Sequence, residues 1–173
     1  ITVGFIFAFP FILWEIWKFI SPALYEKEKK YAASFIIVSS ILFFIGVLFG
    51  YYLIAPLSVQ FFASYIVSPE ISNSIDIDSY MSLMKTSAIA SGLLFELPII
   101  IFFLTKIGLV TPEFLRKYRK YTLVIVLIVA AVITPPDVLS QIIVTIPIMI
   151  LYEASILISV LVVKSQEREK LKA

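Results

Sequence analysis

Five apolar runs, separated by short polar stretches, set the pattern of this chain. A helix needs about 20 apolar residues to cross roughly 30 Å of hydrocarbon, so each run is judged against that length. Residues 1–20 form the first run, interrupted by Pro10 and closed by Glu15 and Lys18. Residues 31–55 form the second, with a stop expected before Pro56, and residues 81–105 the third, carrying a lone charge at Glu96. The fourth and fifth are residues 121–133 and 138–163. The fourth is short, but Thr111, Pro112 and Glu113 supply an N-cap, a first-turn proline and an acid at the positive end of the dipole. A helix is therefore predicted from Pro112, entering the membrane near Tyr121. Residues 57–67 are apolar but too short to span, which reads as an interfacial or capping helix. Asp78 is the expected N-cap of the third span. No internal repeat or linker divides the chain, so residues 1–173 are expected to form one all-α transmembrane domain.

Composition places this pattern in a class. The chain is 61% hydrophobic and 15% charged, with a mean hydropathy of +1.03. A soluble domain carries roughly 45–50% apolar and about 25% charged residues. The chain is a polytopic membrane protein. Charge matters through its distribution. Lys18, Lys27, Lys29 and Lys30 surround the loop 21–30; Lys106, Arg116, Lys117, Arg119 and Lys120 occupy 106–120. Lys164, Arg168, Lys170 and Lys172 fill the tail 164–173. The loops 56–80 and 134–137 carry Glu70, Asp76, Asp78 and Asp137 instead, and only Lys85 falls outside the pattern. The positive-inside rule puts the basic loops and the C-terminal tail in the cytoplasm, with Ile1 on the outer side. Ile1 follows no basic segment and reads as an interior residue of a longer protein. One more span before it would return the N-terminus to the cytoplasm, so six spans are expected in the parent protein.

Candidate chemistry is sparse. With no Cys and no His, the chain lacks disulfides, thiolates, sulfur metal sites and the commonest general base. No nucleotide-binding loop, metal-ligand cluster or nucleophile–base pair appears in the sequence. No enzyme activity, cofactor, metal or nucleic-acid partner is expected, and any energy must come from outside the chain.

The remaining polar residues each need a reason. Glu96 sits deep in the third run, where a charge costs about 2.5–3.5 kcal/mol on insertion scales. Its helical neighbours Gly92, Leu93, Ile99 and Ile100 offer no partner, and Pro98 frees the carbonyl of Leu94, opening the helix there. Two readings stand: a protonated Glu bonded to another helix, or a polar site for a partner helix or substrate. Glu153 is interfacial if the last span ends near Leu151, and a second buried acid if the helix stays submerged; the first is preferred. In "TPPDVLSQ" (134–141), Asp137 reads as a cap of the last helix, while Thr134 and Gln141 offer hydrogen bonds to another helix. Trp14, Trp17 and Tyr25 are expected to form an aromatic belt. In "WKFISPALYEKEKKY" (17–31), a helix from Pro22 gives Glu26 the partners Lys29 and Lys30 at i+3 and i+4. Glu28 has only Leu24, Tyr25, Tyr31 and Ala32 at those spacings. A carboxylate beside tyrosines can accept an incoming guanidinium; its alternative partner is a base from the 106–120 loop.

"FPFILWEIWKFISPALYEKEKKY", "FELP" and "TPPDVLSQ", in this order and topology, resemble the C subunit of the twin-arginine protein translocase, the TatC family. The resemblance covers nearly the whole chain. It implies six transmembrane helices in a concave, glove-like arrangement in the bacterial inner membrane. It also implies recognition of signal peptides bearing paired arginines and, with single-span subunits of the TatA and TatB type, export of folded proteins driven by the proton-motive force. By position, Glu28 matches the glutamate that helps recognise the arginine pair, Phe19 a nearby aromatic needed there, and Tyr25 lies beside them. Glu96 matches the intramembrane glutamate of the concave face. Thr134 and Gln141 match positions where partner helices dock, with Pro136 and Asp137 in the same turn. A homo-oligomeric receptor complex is implied. The family's N-terminal segment, first helix and first outer loop have no counterpart in this chain, which leaves the arginine site incomplete. A proton- or ion-coupled solute transporter using Glu96 and Glu153, and a passive membrane scaffold, are the competing readings.

Overall fold

The computed structural model describes residues 2–20, 32–64, 76–134 and 137–171. Among these residues every regular element is helical, and the elements follow the apolar runs closely at some ends and not at others. Helix α1 is Thr2–Ile20 and α2 is Ala32–Phe49. Contrary to the expected stop before Pro56, the chain does not leave the helix there. A π turn, Gly50–Ile54, carries α2 directly into α3, Ala55–Ser64. The Ala55 N–H bonds five residues back to the Gly50 carbonyl. Proline has no N–H to give, and in an α-helix its ring crowds the carbonyl four residues back. Widening the turn just ahead of Pro56 shifts that carbonyl out of register, so the helix continues through the proline.

Helix α4, Ile77–Phe95, begins with Asp76 at the N-cap position, two residues before the expected cap Asp78, which lies inside the first turn. After a break at Glu96 the same axis continues as α5, Leu97–Lys106. Lys85 and Lys106 bracket about 20 intervening residues, a rise of about 30 Å, one hydrocarbon thickness. A short α6, Pro112–Lys117, is capped by Thr111, whose hydroxyl accepts the Phe114 N–H at 3.3 Å. Helix α7, Arg119–Ile133, and the long α8, Val138–Lys170, complete the chain.

Among the described residues four stretches are long and apolar enough to cross a membrane: Thr2–Phe19, Phe35–Ser64, Ile77–Lys106 and Val138–Arg168. Helix α7 has 15 residues, about 22 Å, which is shorter than the hydrocarbon. Large exposed apolar residues such as Phe7, Phe11, Val132 and Leu161 suit a lipid-facing surface.

The packing is a chain of neighbours. Helix α1 lies on α2 and α2 on α4, whereas α5 lies on α8 and α8 on α7. The break at Glu96 thus falls where one broken helix changes partners. The α2–α4 contact is made by small residues: Gly46 and Gly50 face Ser87 and Ser91, and the Ser91 hydroxyl donates to the Gly46 carbonyl at 2.6 Å. Four-residue spacing puts each pair on one helix face, and small side chains let the backbones approach. Phe9 stacks on Phe43 at 3.6 Å where α1 meets α2. Ile54, Val126, Ala130, Val144 and Ile148 form a second core beneath the π turn. Of the expected aromatic belt, Trp14 is half-exposed, but Trp17 is buried, packed between Phe35 at 5.1 Å and Phe103 at 5.8 Å. Those two rings fill the same end of α2 and α5 and draw the indole inward. Tyr25 lies outside the described residues.

Candidate functional site

The break in the third span arises from Pro98, which has no N–H for the Leu94 carbonyl. Glu96 takes up a tightened turn at φ −75° and ψ −7°, its N–H bonding to the Leu93 carbonyl at 3.2 Å. Helical bonding resumes with the Ile100 N–H on the Glu96 carbonyl at 3.0 Å. The side chain is buried, 6% exposed. Along the sequence it stands nearly midway between Lys85 and Lys106, the charges that bound its apolar stretch.

One carboxyl oxygen is satisfied and the other is not. The Ser39 hydroxyl, wholly buried on α2, donates to Glu96 Oε2. Oε1 is buried with no hydrogen-bond partner among the described residues, as is the hydroxyl of Ser87. Both sequence readings of Glu96 thus have a counterpart in the geometry: one oxygen is held within the chain and one remains to be filled. A buried polar atom left without a partner costs about 1–3 kcal/mol, so a donor supplied from outside the chain gains from meeting it. Among the described residues no cluster of metal-ligating side chains occurs.

A second polar group lies at the α7–α8 turn. Thr134 is buried and donates to the Ala130 carbonyl of its own helix at 2.8 Å, which leaves the hydroxyl oxygen as an acceptor. Asp137 Oδ2 accepts the Ser140 N–H and the Ser140 hydroxyl, both at 2.9 Å. The backbone bond foremost, and then the hydroxyl, hold the carboxyl below its ordinary pKa. This is an N-cap of α8. Gln141 Nε2 donates to the Leu127 carbonyl at 2.9 Å and ties α8 to α7. Pro136 lies outside the described residues.

The third group sits at the basic end of the molecule. Phe19, at the end of α1, is 87% exposed. The residue before it, Lys18, pairs with Glu15 at 2.7 Å and lies 5.9 Å from the Trp14 ring. Glu28 lies outside the described residues, so its position relative to Phe19 is not part of this geometry. Glu153 reaches Arg119 at 2.6 Å, both side chains about half-exposed. Beside them the Tyr152 hydroxyl donates to the Leu115 carbonyl at 2.8 Å, and Gln166 Nε2 to the Lys106 carbonyl at 2.9 Å. Thr105 and Ser159 share a hydrogen bond at 2.9 Å. These bonds fix the segment between α5 and α7 onto α8.

Three of these features escaped the sequence reading. Ser39 lies 57 residues from Glu96, and a serine pair in an apolar helix was its only signal. Arg119 was one of five bases in its loop, with nothing to single it out. The Gly46–Gly50 and Ser87–Ser91 spacings were open to reading as a helix-docking motif.

A family model described as Sec-independent protein translocase protein (TatC) matches residues 1–147. The Sec-independent protein translocase protein TatC of Blattabacterium sp. subsp. Periplaneta americana is 46% identical over 163 residues, spanning 94% of this chain and 61% of that protein. TatCy of Bacillus subtilis is 45% identical over 157 residues, spanning 91% of this chain and 62% of that one. The chain thus spans about three fifths of the length of these relatives. A crystal structure of a twin arginine translocase receptor, TatC, superposes with a TM-score of 0.75 at 38% identity, covering 94% of this chain and 71% of that one.

Proposed function

The chain belongs to the Sec-independent protein translocase protein (TatC) family, and we propose that it forms the signal-peptide receptor core of a twin-arginine translocation system. The observation that carries this reading is the family match over residues 1–147. In it, Glu28 accepts the paired arginines of the signal peptide, with Phe19 and Tyr25 lining the approach. A guanidinium presents a rigid fork that a carboxylate meets with two parallel bonds, whereas a lysine is a hydrated point charge. A glutamate site therefore distinguishes Arg from Lys. The exposure of Phe19 supports its availability to a ligand.

Partner subunits dock elsewhere. Glu96 Oε1, buried and unfilled, suits a polar side chain on a single-span partner helix. Thr134, Pro136, Asp137 and Gln141 form a second docking region at the outer turn, where the Thr134 oxygen remains open as an acceptor. The protein sits in the bacterial inner membrane with its basic loops and C-terminus in the cytoplasm. Residues 21–30 and 106–120 are its cytoplasmic loops, residues 56–80 and 134–137 its outer loops, and α7 is a fifth, short span. It works as a homo-oligomer with subunits of the TatA and TatB type, and the proton-motive force supplies the energy for moving folded cargo. The relay required of a solute transporter gains no support, because Glu153 faces Arg119 rather than Glu96.

The test is photocrosslinking from Phe19, Glu28, Glu96 and Gln141 in the full-length protein to a twin-arginine signal peptide and to single-span subunits. Crosslinks from Phe19 and Glu28 to the peptide, lost when its arginines become lysines, are expected. Glu28→Gln is expected to weaken peptide binding by about 1.5–3 kcal/mol, the range for hydrogen bonds to charged groups. Unchanged peptide crosslinking in Glu28→Gln refutes the assignment.

A further inference from the structure

The bases of the α6–α7 elbow are arranged, not scattered. Phe114, Tyr118 and Tyr121 form a ladder of rings from α6 into α7, with centroids 4.5 Å and 5.7 Å apart. All three are exposed. The Lys117 ammonium lies 5.9 Å from the Tyr118 ring, and the Lys120 ammonium 5.2 Å from the Tyr121 ring. Arg119, between them in sequence, turns away onto Glu153. Lys117 and Lys120 are exposed and have no carboxylate partner among the described residues. The elbow therefore keeps Arg119 for the protein and presents Lys117 and Lys120 outward, each beside a tyrosine, with Arg116 exposed next to them.

The surroundings indicate what these cations meet. Directly below Tyr121, the exposed face of α7 is apolar: Leu123, Val124, Ile125 and Ile128 are all exposed. A tyrosine ring with an apolar helix face on one side and an ammonium on the other matches the boundary between acyl chains and headgroups. Cations at that level meet lipid phosphates, and each base near an anionic membrane surface gains about 1 kcal/mol. An acidic protein segment has no use for the apolar continuation along α7. A zwitterionic headgroup brings its own cation, which offsets the lysines.

We propose that the α6–α7 elbow is a binding site for anionic phospholipid headgroups, with Lys117 and Lys120 as the phosphate-binding cations and Tyr118 and Tyr121 as their platform. The site would fix the basic end of α7, too short to span unaided, at headgroup depth.

The test uses the protein purified in a mild detergent, with bound lipid counted by native mass spectrometry during titration. Phosphatidylglycerol is expected to bind in preference to phosphatidylcholine. Lys117→Gln/Lys120→Gln is expected to weaken phosphatidylglycerol binding about 30-fold, each lysine giving about fivefold. Lys117→Arg/Lys120→Arg should retain it, and Lys85→Gln, in the middle of α4 and across the apolar stretch 86–105 from the elbow, should leave it unchanged. Thermal unfolding of each variant in the same detergent is expected to match the parent, since both side chains are exposed. Equal binding of phosphatidylcholine overturns the proposal, as does unchanged phosphatidylglycerol binding in the double Gln variant. So does displacement of the lipid by glycerol phosphate at equal concentration, which would mean that a free phosphate suffices.

Discussion

Replacing glycine by alanine inside a helix is ordinarily favourable by about 0.5–1 kcal/mol, because glycine loses more backbone freedom on folding. At Gly46 the structure reverses the sign. A Cβ there would lie 2.6 Å from the Ser91 carbonyl oxygen, 2.8 Å from the Gly92 Cα and 2.9 Å from the Phe95 Cβ. The first two are backbone atoms of α4 and cannot rotate aside. Relief requires α2 and α4 to separate, which lengthens the Ser91-to-Gly46 hydrogen bond as well. Overpacking of this kind costs about 1–3 kcal/mol, more than the propensity gain. Gly46→Ala is therefore expected to destabilise by about 1–2 kcal/mol net. Gly4 is the internal control: it is helical, and a Cβ there meets nothing within 4 Å. Gly4→Ala should be neutral or stabilising by up to about 1 kcal/mol. Reversible unfolding of the purified protein in mixed micelles, followed by far-ultraviolet circular dichroism, measures both. If the two substitutions shift the midpoint equally, close approach does not set the α2–α4 contact.

Three further outcomes are expected. Ser39→Ala removes the one hydrogen bond that the buried Glu96 carboxyl accepts among the described residues and should cost about 1–2 kcal/mol in the same unfolding assay, but nearly nothing in a Glu96→Leu background; equal costs in both would break the link between the two residues. Asp137 has a lowered pKa, so its cap contribution is fully present above the unfolded carboxyl's pKa of about 3.9 and is lost as pH falls through the lower folded value. Asp137→Asn, which keeps a capping side chain, should flatten that acid-side decline; an unaltered pH profile refutes the assignment. Arg119→Gln should destabilise by about 0.2–1 kcal/mol, because the pair with Glu153 is half-exposed, and the loss should shrink at high salt; a salt-independent loss would point to packing instead.

Hydrophobic run length made the spanning helices legible, because crossing hydrocarbon imposes a minimum number of apolar residues whatever surrounds them. The opening at Pro98 was legible for a local reason too: a missing N–H is a property of one residue. The Asp137 cap followed from its place before an apolar helix. What stayed hidden depends on docking between distant segments. Nothing local tells that Ser39 will reach Glu96, or that Glu153 will choose Arg119 among the neighbouring bases. Trp17 beside Lys18 has the sequence pattern of a membrane-boundary residue, and only the presence of Phe35 and Phe103 at the same level buries it. The passage of the helix through Pro56 required a non-α turn that side-chain pattern does not encode.

That π turn at Gly50–Ile54 also sets the helical phase of everything beyond it. Each residue turns an α-helix by about 100°, so accommodating one extra residue in a turn swings α3 by about that angle relative to an uninterrupted α2. With this rotation Ala55 and Ser58 lie buried and the next two turns carry their exposed side outward. Deleting any one of residues 51–53 would restore plain α geometry, crowd Pro56 against the carbonyl four residues behind it, and bring a different stripe of α3 against α4. The chain thus stores the azimuth of α3 in a single surplus residue.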